Sequence, residues 1–303
     1  MVSLEGIEEA SRTIDPLFRG TPQFQDDELS AALGCPLWVK VETVNPLRSF
    51  KGRGADYYMR SLTRGQHVQC ASAGNFGMAL AWAGRRHGIP VTVFCARDAN
   101  KAKVTRIRRL GAQVVLVGED FDEAKAHAQQ EAGRNGGVTF VEDGDEPRIA
   151  EGAGTIALEL APVQPDSVLV PVGNGALING IGTWTKARSP HTRVIGVCAA
   201  GAPAMALSWQ ARAAVTTPHR PRTCADGVAV RRPVPGAVRT MLDVVDDMLC
   251  VDESHITRAV DLARTHLSLT LEPAGALALA AVLQHGTSAD RTAAVLTGAN
   301  PHS

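Results

Sequence analysis

Asn45-Pro46-Leu47-Arg48-Ser49-Phe50-Lys51-Gly52-Arg53-Gly54-Ala55 follows the strand-like run Leu37–Val41 and sets an amine just inside a helix start. Arg48 and Arg53 flank that amine, and a helix dipole turns its positive end toward it, so the ammonium form of Lys51 is disfavoured and a neutral nucleophile becomes accessible. Such a lysine can hold a carbonyl carbon covalently as a Schiff base. The stretch reads equally as a helix start carrying a solvated surface lysine, the ordinary state of that residue type.

On both sides of this stretch, short β-branched runs alternate with helical patterns. After Leu37–Val41 come a helix over Phe50–Leu62, a strand His67–Ala71, a helix Gly77–His87, a strand Val91–Cys95, a helix Lys101–Leu110, a strand Val114–Val117 and a helix Asp120–Arg134. A second series runs from Ile149: a helix to Leu160, a strand Val168–Val172, a helix after Gly175, a strand Val194–Cys198, an extended run Val244–Val251, two helices and a last strand Thr292–Leu296. This order predicts an α/β protein of two halves with mostly parallel strands. Ala55, Tyr58, Met59 and Leu62, and likewise Val104, Ile107 and Leu110, recur at helical spacing and mark core faces. Ala211–Pro235, rich in Pro, Arg and Thr, is expected to be a surface excursion.

A chain of 303 residues, 45% hydrophobic and 20% charged, can bury one large or two moderate cores. Its 31 Lys and Arg balance 31 Asp and Glu, so nothing in the overall charge draws it to nucleic acid or an acidic membrane, and a small-molecule partner is expected. The acidic start Met1–Glu9 lacks the order of a signal peptide, and no apolar stretch is long and unbroken enough for a membrane helix. The six cysteines are widely spaced without a Cys-x-x-Cys pair, which predicts reduced core thiols, a cytoplasmic protein and no metal site.

Several turns present backbone donors. Val168–Val172 runs into Gly173-Asn174-Gly175-Ala176-Leu177, a loop of small residues opening a helix, which suits a phosphate as well as it suits plain tight packing. A nucleotide P-loop is excluded because Gly180 is followed by Ile181-Gly182, and a dinucleotide site by the absence of an acidic residue at the end of the next strand, Gly196-Val197-Cys198-Ala199. Ser72-Ala73-Gly74-Asn75-Phe76 closes the His67–Ala71 strand and fits a carboxylate, or a simple capped turn. Thr297 ends the last strand with a hydroxyl, and Glu272, before Pro273, is either a helix cap or a carboxylate facing the same cleft.

Taken in order, Ser49-Phe50-Lys51-Gly52-Arg53-Gly54, Ser72-Ala73-Gly74-Asn75, Gly173-Asn174-Gly175-Ala176-Leu177, Ala225-Asp226-Gly227, Glu272-Pro273-Ala274-Gly275 and Thr297-Gly298-Ala299-Asn300 resemble the motifs of the pyridoxal-phosphate enzymes of the tryptophan-synthase-β fold, or fold type II. The serine/threonine dehydratase and serine racemase branch is the most similar. The resemblance implies a two-domain fold, with residues 67–142 a small domain inserted into a large one made of 1–66 and 143–303, each a mostly parallel twisted sheet flanked by helices. It implies pyridoxal 5'-phosphate on Lys51, its phosphate on Gly173–Leu177, Asn75 at the ring's phenolic oxygen, and Thr297 and Glu272 near the ring. A neutral hydroxyl facing the ring nitrogen favours elimination over transamination. Ser72, Ala73, Gly74, Asn75 and Phe76 would take the substrate carboxylate. A cytoplasmic homodimer is implied.

Departures refine the expectation. Phe76 stands where dehydratases commonly carry His, and Ala73 where serine racemases carry a second catalytic Ser, which disfavours two-base racemisation. Asn174 and Ala176 interrupt a loop that is usually all Gly, and Arg222 falls where metal-binding relatives place an acid, so no cation site is expected. The chain stops at Ser303, leaving no residues for an effector domain. The leading expectation is β-elimination from a hydroxy amino acid such as threonine or serine, giving a 2-oxo acid and ammonia. The alternatives are β-replacement, in which a second nucleophile traps an aminoacrylate as in cysteine- or diaminopropionate-forming relatives, and a non-catalytic cofactor-binding protein.

Overall fold

The computed structural model describes every residue except Asn135, Ser288 and 301–303, so Ser303 lies outside the described residues. The chain opens with α1 (Leu4–Thr13), β1 (Gln23–Gln25), α2 (Asp27–Leu33), β2 (Leu37–Val41) and α3 (Lys51–Arg60). A middle series follows: β3 (His67–Ala71), α4 (Asn75–His87), β4 (Val91–Cys95), α5 (Lys101–Arg109), β5 (Gln113–Leu116), α6 (Phe121–Arg134) and β6 (Val138–Phe140). The remainder holds α7 (Pro147–Leu160), β7 (Ser167–Pro171), α8 (Ala176–Arg188), β8 (Arg193–Ala199), α9 (Ala204–Ala211), α10 (Pro235–Val244), β9 (Asp247–Val251), α11 (Glu253–Leu267), α12 (Leu277–His285) and β10 (Thr292–Leu296).

Among the described residues the strands form two sheets, one of six in the order β1-β2-β10-β7-β8-β9 and one of four in the order β5-β4-β3-β6. All pairs are parallel except β1 with β2. Parallel strands covered by helices on both faces need continuous apolar runs, and β4, β7 and β10 are buried at every position. In both sheets the strand ends lead into the turns that carry Ser72, Gly173 and Thr297. Such carboxyl ends, where the connections open outward, are where open α/β sheets bind ligands.

Helix starts are fixed locally. Ser3 Oγ accepts from Gly6 N at the head of α1, Asp26 caps α2 through Leu29 N, and Asn100 Oδ1 accepts from Ala102 and Lys103 N at the head of α5. The apolar cluster beneath the four-stranded sheet extends into α3, through Ala55, Tyr58 and Met59, and reaches Ile149 and Ala150 of α7. α3 therefore belongs to the packing of both sheets, which holds its first residue, Lys51, between them.

The structure corrects the expected surroundings of Lys51. Arg53 does not crowd it: the guanidinium is fully buried on the far side of α3, with Nε and Nη2 donating to Glu42 at 2.8 and 2.9 Å and Nη1 and Nη2 donating to Glu159 at 2.7 and 2.8 Å. Lys40, also buried, donates to Glu159 at 2.6 Å. Two carboxylates and two cations close into one network, so the charge of Arg53 is neutralised there. Val244, expected to start a strand, ends α10 instead, and the strand begins at Asp247. The 211–235 excursion is largely exposed as expected, but its second half returns to wall the cavity described below.

Candidate active site

Between the two sheets lies a cavity of about 520 Å³, within the range of a small-molecule site. Lys51, the Ser72–Phe76 turn, the Gly173–Leu177 loop, Glu272 and Thr297 all line it. Residues far apart in the chain are thus brought to one place. The Lys51 segment is tied to the end of β10: Phe50 N–H donates to Thr297 O at 3.1 Å and Ala299 N–H donates to Arg48 O at 2.9 Å.

The amine of Lys51 sits 4.5 Å from the centroid of the Phe50 ring and 5.9 Å from that of Phe76. Its charged partner is Asp143, whose Oδ2 accepts from Nζ at 2.5 Å. Asp143 was not legible in the sequence. It lies in the acidic run Glu142–Glu146, which matches no motif, and only the meeting of two distant segments gives it a cation.

The Ser72–Phe76 turn joins β3 to α4. Gly74, not Ser72 or Asn75, is the residue flanking the helix, and no side chain caps it; Ser72 Oγ accepts from Gly74 N at 3.2 Å. The amides that open α4 are therefore left for another acceptor. The amide of Asn75 donates through Nδ2 to Glu272 Oε1 at 2.6 Å, and Asn75 Oδ1 accepts from Asn300 Nδ2 at 2.8 Å. Arg106 of α5 holds Asn300 Oδ1 in turn. Glu272, 5% exposed, makes no helix-capping bond, so the cap reading gives way to the cleft-facing one. Burial pushes its carboxyl up to about 7, the Asn300 N–H opposes this, and the negative charge of Asp226 adds to it.

The Gly173–Leu177 loop leads from β7 into α8, whose start also has no side-chain cap. Gly175 adopts φ +94°, and a Cβ there would fall 3.1 Å from that of Ala237, so glycine lets the backbone turn tightly where the loop lines the cavity. This uncapped helix start fits a phosphate dianion. Thr297, buried at the end of β10, directs Oγ1 to Ala274 O at 3.4 Å. Residues 220–232 close the outer side, with Arg220 paired to Asp120 at 2.8 Å and Lys103 to Asp226 at 2.9 Å. Arg222 is exposed, its N–H donating to Gly201 O at 2.9 Å. Lys103, Lys125, Asp120 and Asp143 are cavity residues that no local motif announces.

The comparisons with known proteins agree with this geometry. The family model described as pyridoxal-phosphate dependent enzyme matches residues 14–298. The L-threonine ammonia-lyase of Geobacter sulfurreducens is 37% identical over 301 residues, covering 97% of this chain and 74% of its own. Among solved structures, a T.th. threonine deaminase superimposes with a TM-score of 0.93 at 32% identity, covering 99% of both chains. Maize serine racemase gives a TM-score of 0.92 at 27% identity, covering 99% of this chain and 94% of its own. The chain belongs to the family of pyridoxal-phosphate dependent enzymes, with the fold type II architecture.

Proposed function

We propose that the protein is a lyase that removes water and ammonia from a β-hydroxy amino acid such as threonine or serine, leaving a 2-oxo acid. The observation that carries this reading is the convergence, in one cavity, of a lysine amine, an uncapped carboxylate turn and an uncapped phosphate loop. The relatives named as threonine ammonia-lyase and threonine deaminase support it.

Lys51 would hold the cofactor's carbonyl carbon, Gly173, Asn174, Gly175, Ala176 and Leu177 its phosphate, and Asn75, Glu272 and Thr297 its ring. When bound, the cofactor supplies an electron-withdrawing ring that acidifies the substrate's Cα–H bond. Ser72, Ala73, Gly74, Asn75 and Phe76 receive the substrate: the free amides of the turn and the Ser72 hydroxyl fix the carboxylate, and the buried Phe76 ring forms an apolar wall. That orientation turns the Cα–H bond toward Lys51, an effect worth several kcal/mol in comparable reactions. The substrate's amine would displace Lys51 from the cofactor's carbonyl carbon, and the freed Nζ then takes the Cα proton.

The organisation that goes with this reading is a small domain, 67–142, inserted into a large one of 1–66 and 143–303. In its support, every strand of the four-stranded sheet lies between His67 and Phe140, while the six-stranded sheet draws on both flanks. The reading extends to a cytoplasmic homodimer, resting on the widely spaced thiols and the family resemblance; light scattering of the purified protein tests the assembly.

Lys51→Ala tests the function. Wild-type protein is expected to be yellow near neutral pH and to form 2-oxobutyrate from L-threonine or pyruvate from L-serine, and the variant to lose both properties. Continued 2-oxo acid formation by the variant would overturn the assignment.

A further inference from the structure

We infer that Asp143 is the acid that protonates the departing β-hydroxyl, acting as the second half of an acid–base pair with Lys51. The inference rests on the hydroxy-amino-acid reading above and adds to it the group that handles the leaving oxygen.

Four observations support it. Asp143 Oδ2 lies 2.5 Å from Lys51 Nζ, close enough for a proton to pass directly between them. Its other oxygen, Oδ1, is buried without a hydrogen-bond partner among the described residues, a costly state for a carboxylate unless a ligand donor meets it. The Cβ–Cγ torsion of Asp is broad, so the carboxylate can turn either oxygen toward the cavity it lines. Other acids along that cavity are engaged elsewhere: Glu142 with Lys125, Asp226 with Lys103, Asp120 with Arg220, Asp122 with Arg231, and Glu272 with the Asn75 amide and the Asn300 N–H. Asp143 is the acid matched to the reactive amine.

The surroundings suit the transfer. The rings of Phe50 and Phe76 flank the amine, so the pair works in a partly water-excluded corner where charge interactions are strengthened. Released from the cofactor by the substrate's amine, Lys51 enters the step as a free amine beside the Asp143 carboxylate. Nζ first takes the proton from Cα, and the electron pair left there becomes the Cα–Cβ double bond when the Cβ–O bond then breaks. The proton passes from Nζ to Asp143 and on to the departing oxygen, which leaves as water. Lys51 ends neutral and Asp143 ionised, so the pair is reset without an outside acid.

The test compares leaving groups that do and do not need a proton. L-Serine and β-chloro-L-alanine are given to cofactor-loaded wild type and Asp143→Asn, and exchange of the Cα proton in deuterium oxide is followed by NMR alongside pyruvate. In the variant the ratio of serine to chloroalanine turnover is expected to fall about a hundredfold, the usual scale of general-acid catalysis, because chloride departs unaided. Cα exchange on serine is expected to outrun pyruvate formation, since the proton is removed but the hydroxyl is retained. Asp143→Glu, which keeps the acid, is expected to restore part of the ratio, and thermal melts with the cofactor's absorbance keep loss of fold apart from loss of chemistry. An unchanged ratio, with both substrates slowed alike, would overturn the assignment and leave Asp143 a positioning partner of Lys51. Wild type that consumes chloroalanine but no hydroxy amino acid would overturn the hydroxy-amino-acid reading, and the role of Asp143 with it.

Discussion

Asn75 Nδ2 donates to Glu272 Oε1 at 2.6 Å, a hydrogen bond joining residues 197 positions apart and the two sheets across the cavity. Burial favours the neutral form of Glu272, with a carboxyl raised from 4.5 to about 7. A raised pKa in the folded state gives stability that is complete below the unfolded value of 4.5 and is lost as pH rises through about 7. The full shift corresponds to about 3 kcal/mol. Glu272→Gln is neutral at every pH and keeps a carbonyl oxygen for Asn75. Thermal melts of wild type and variant from pH 4.5 to 8 should therefore converge at the acid end, with the wild type falling below the variant near neutrality. Parallel curves would show that folding leaves the Glu272 carboxyl at its ordinary value.

The buried network under α3 predicts the opposite acid response. Burial alone would raise the carboxyl of Glu159, but the hydrogen bonds and charge of Arg53, and then the charge of Lys40, outweigh it and hold it at about 2. That stability is present above 4.5, and is lost as pH falls through about 2. Arg53→Met should cost about 3–5 kcal/mol in urea unfolding, because the buried Glu42 and the half-buried Glu159 lose their shared partner. Arg53→Lys should recover little of it, since one ammonium cannot span both carboxylates.

Gly144 predicts how the Asp143 loop supports the Gly173–Leu177 loop. Its φ is +95°, and an added Cβ would fall 2.0 Å from Asn174 O, so neither the backbone nor the neighbouring loop tolerates a side chain. Gly144→Ala should displace Asn174 and weaken cofactor binding by about tenfold or more, on top of the ~1–2 kcal/mol that a left-handed conformation costs an L-residue. Titration of the cofactor-free variant, followed by absorbance, measures it; an unchanged affinity would show that the two loops move independently.

The central strands were legible because they are short, β-branched and buried on both faces: Leu37–Val41, His67–Ala71, Val91–Cys95 and Thr292–Leu296 fall on the residues that the sequence predicts. β1 and β6, of three residues each, carry too little pattern to be read, and they owe their pairing to neighbours already in place. α1 carries a local signal of its own: Ser3 caps it, and Ile7 and Ala10 make a buried stripe at helical spacing. In the site, motifs that combine a turn with a polar residue were legible, because backbone geometry demands Gly, Ser or Asn there. Asp143 and the Arg53 network were not, because a charge is informative only with its partner, and each partner comes from a distant segment. Reading Arg53 as a neighbour of Lys51 in sequence put its charge on the wrong side of the helix.

Ala73 makes the final prediction, on the fate of substrate chirality. It lines the cavity beside Ser72, and its methyl group carries no exchangeable proton. Racemisation by two groups needs one base to take the Cα proton and an acid on the opposite face to return one. In the proposed reaction Lys51 is the first, and Asp143, 2.5 Å from its amine, lies beside it rather than opposite. L-Serine with wild type should therefore yield pyruvate with D-serine below about 1% of turnover, whereas Ala73→Ser places a hydroxyl where a racemising donor is needed and should raise the D-serine fraction. Chiral chromatography of mixtures in deuterium oxide reads both quantities, since D-serine formed by this route carries deuterium at Cα. Wild type that produced D-serine as fast as pyruvate would place a proton donor on the face that Ala73 leaves empty, and the elimination assignment would have to share the site with racemisation.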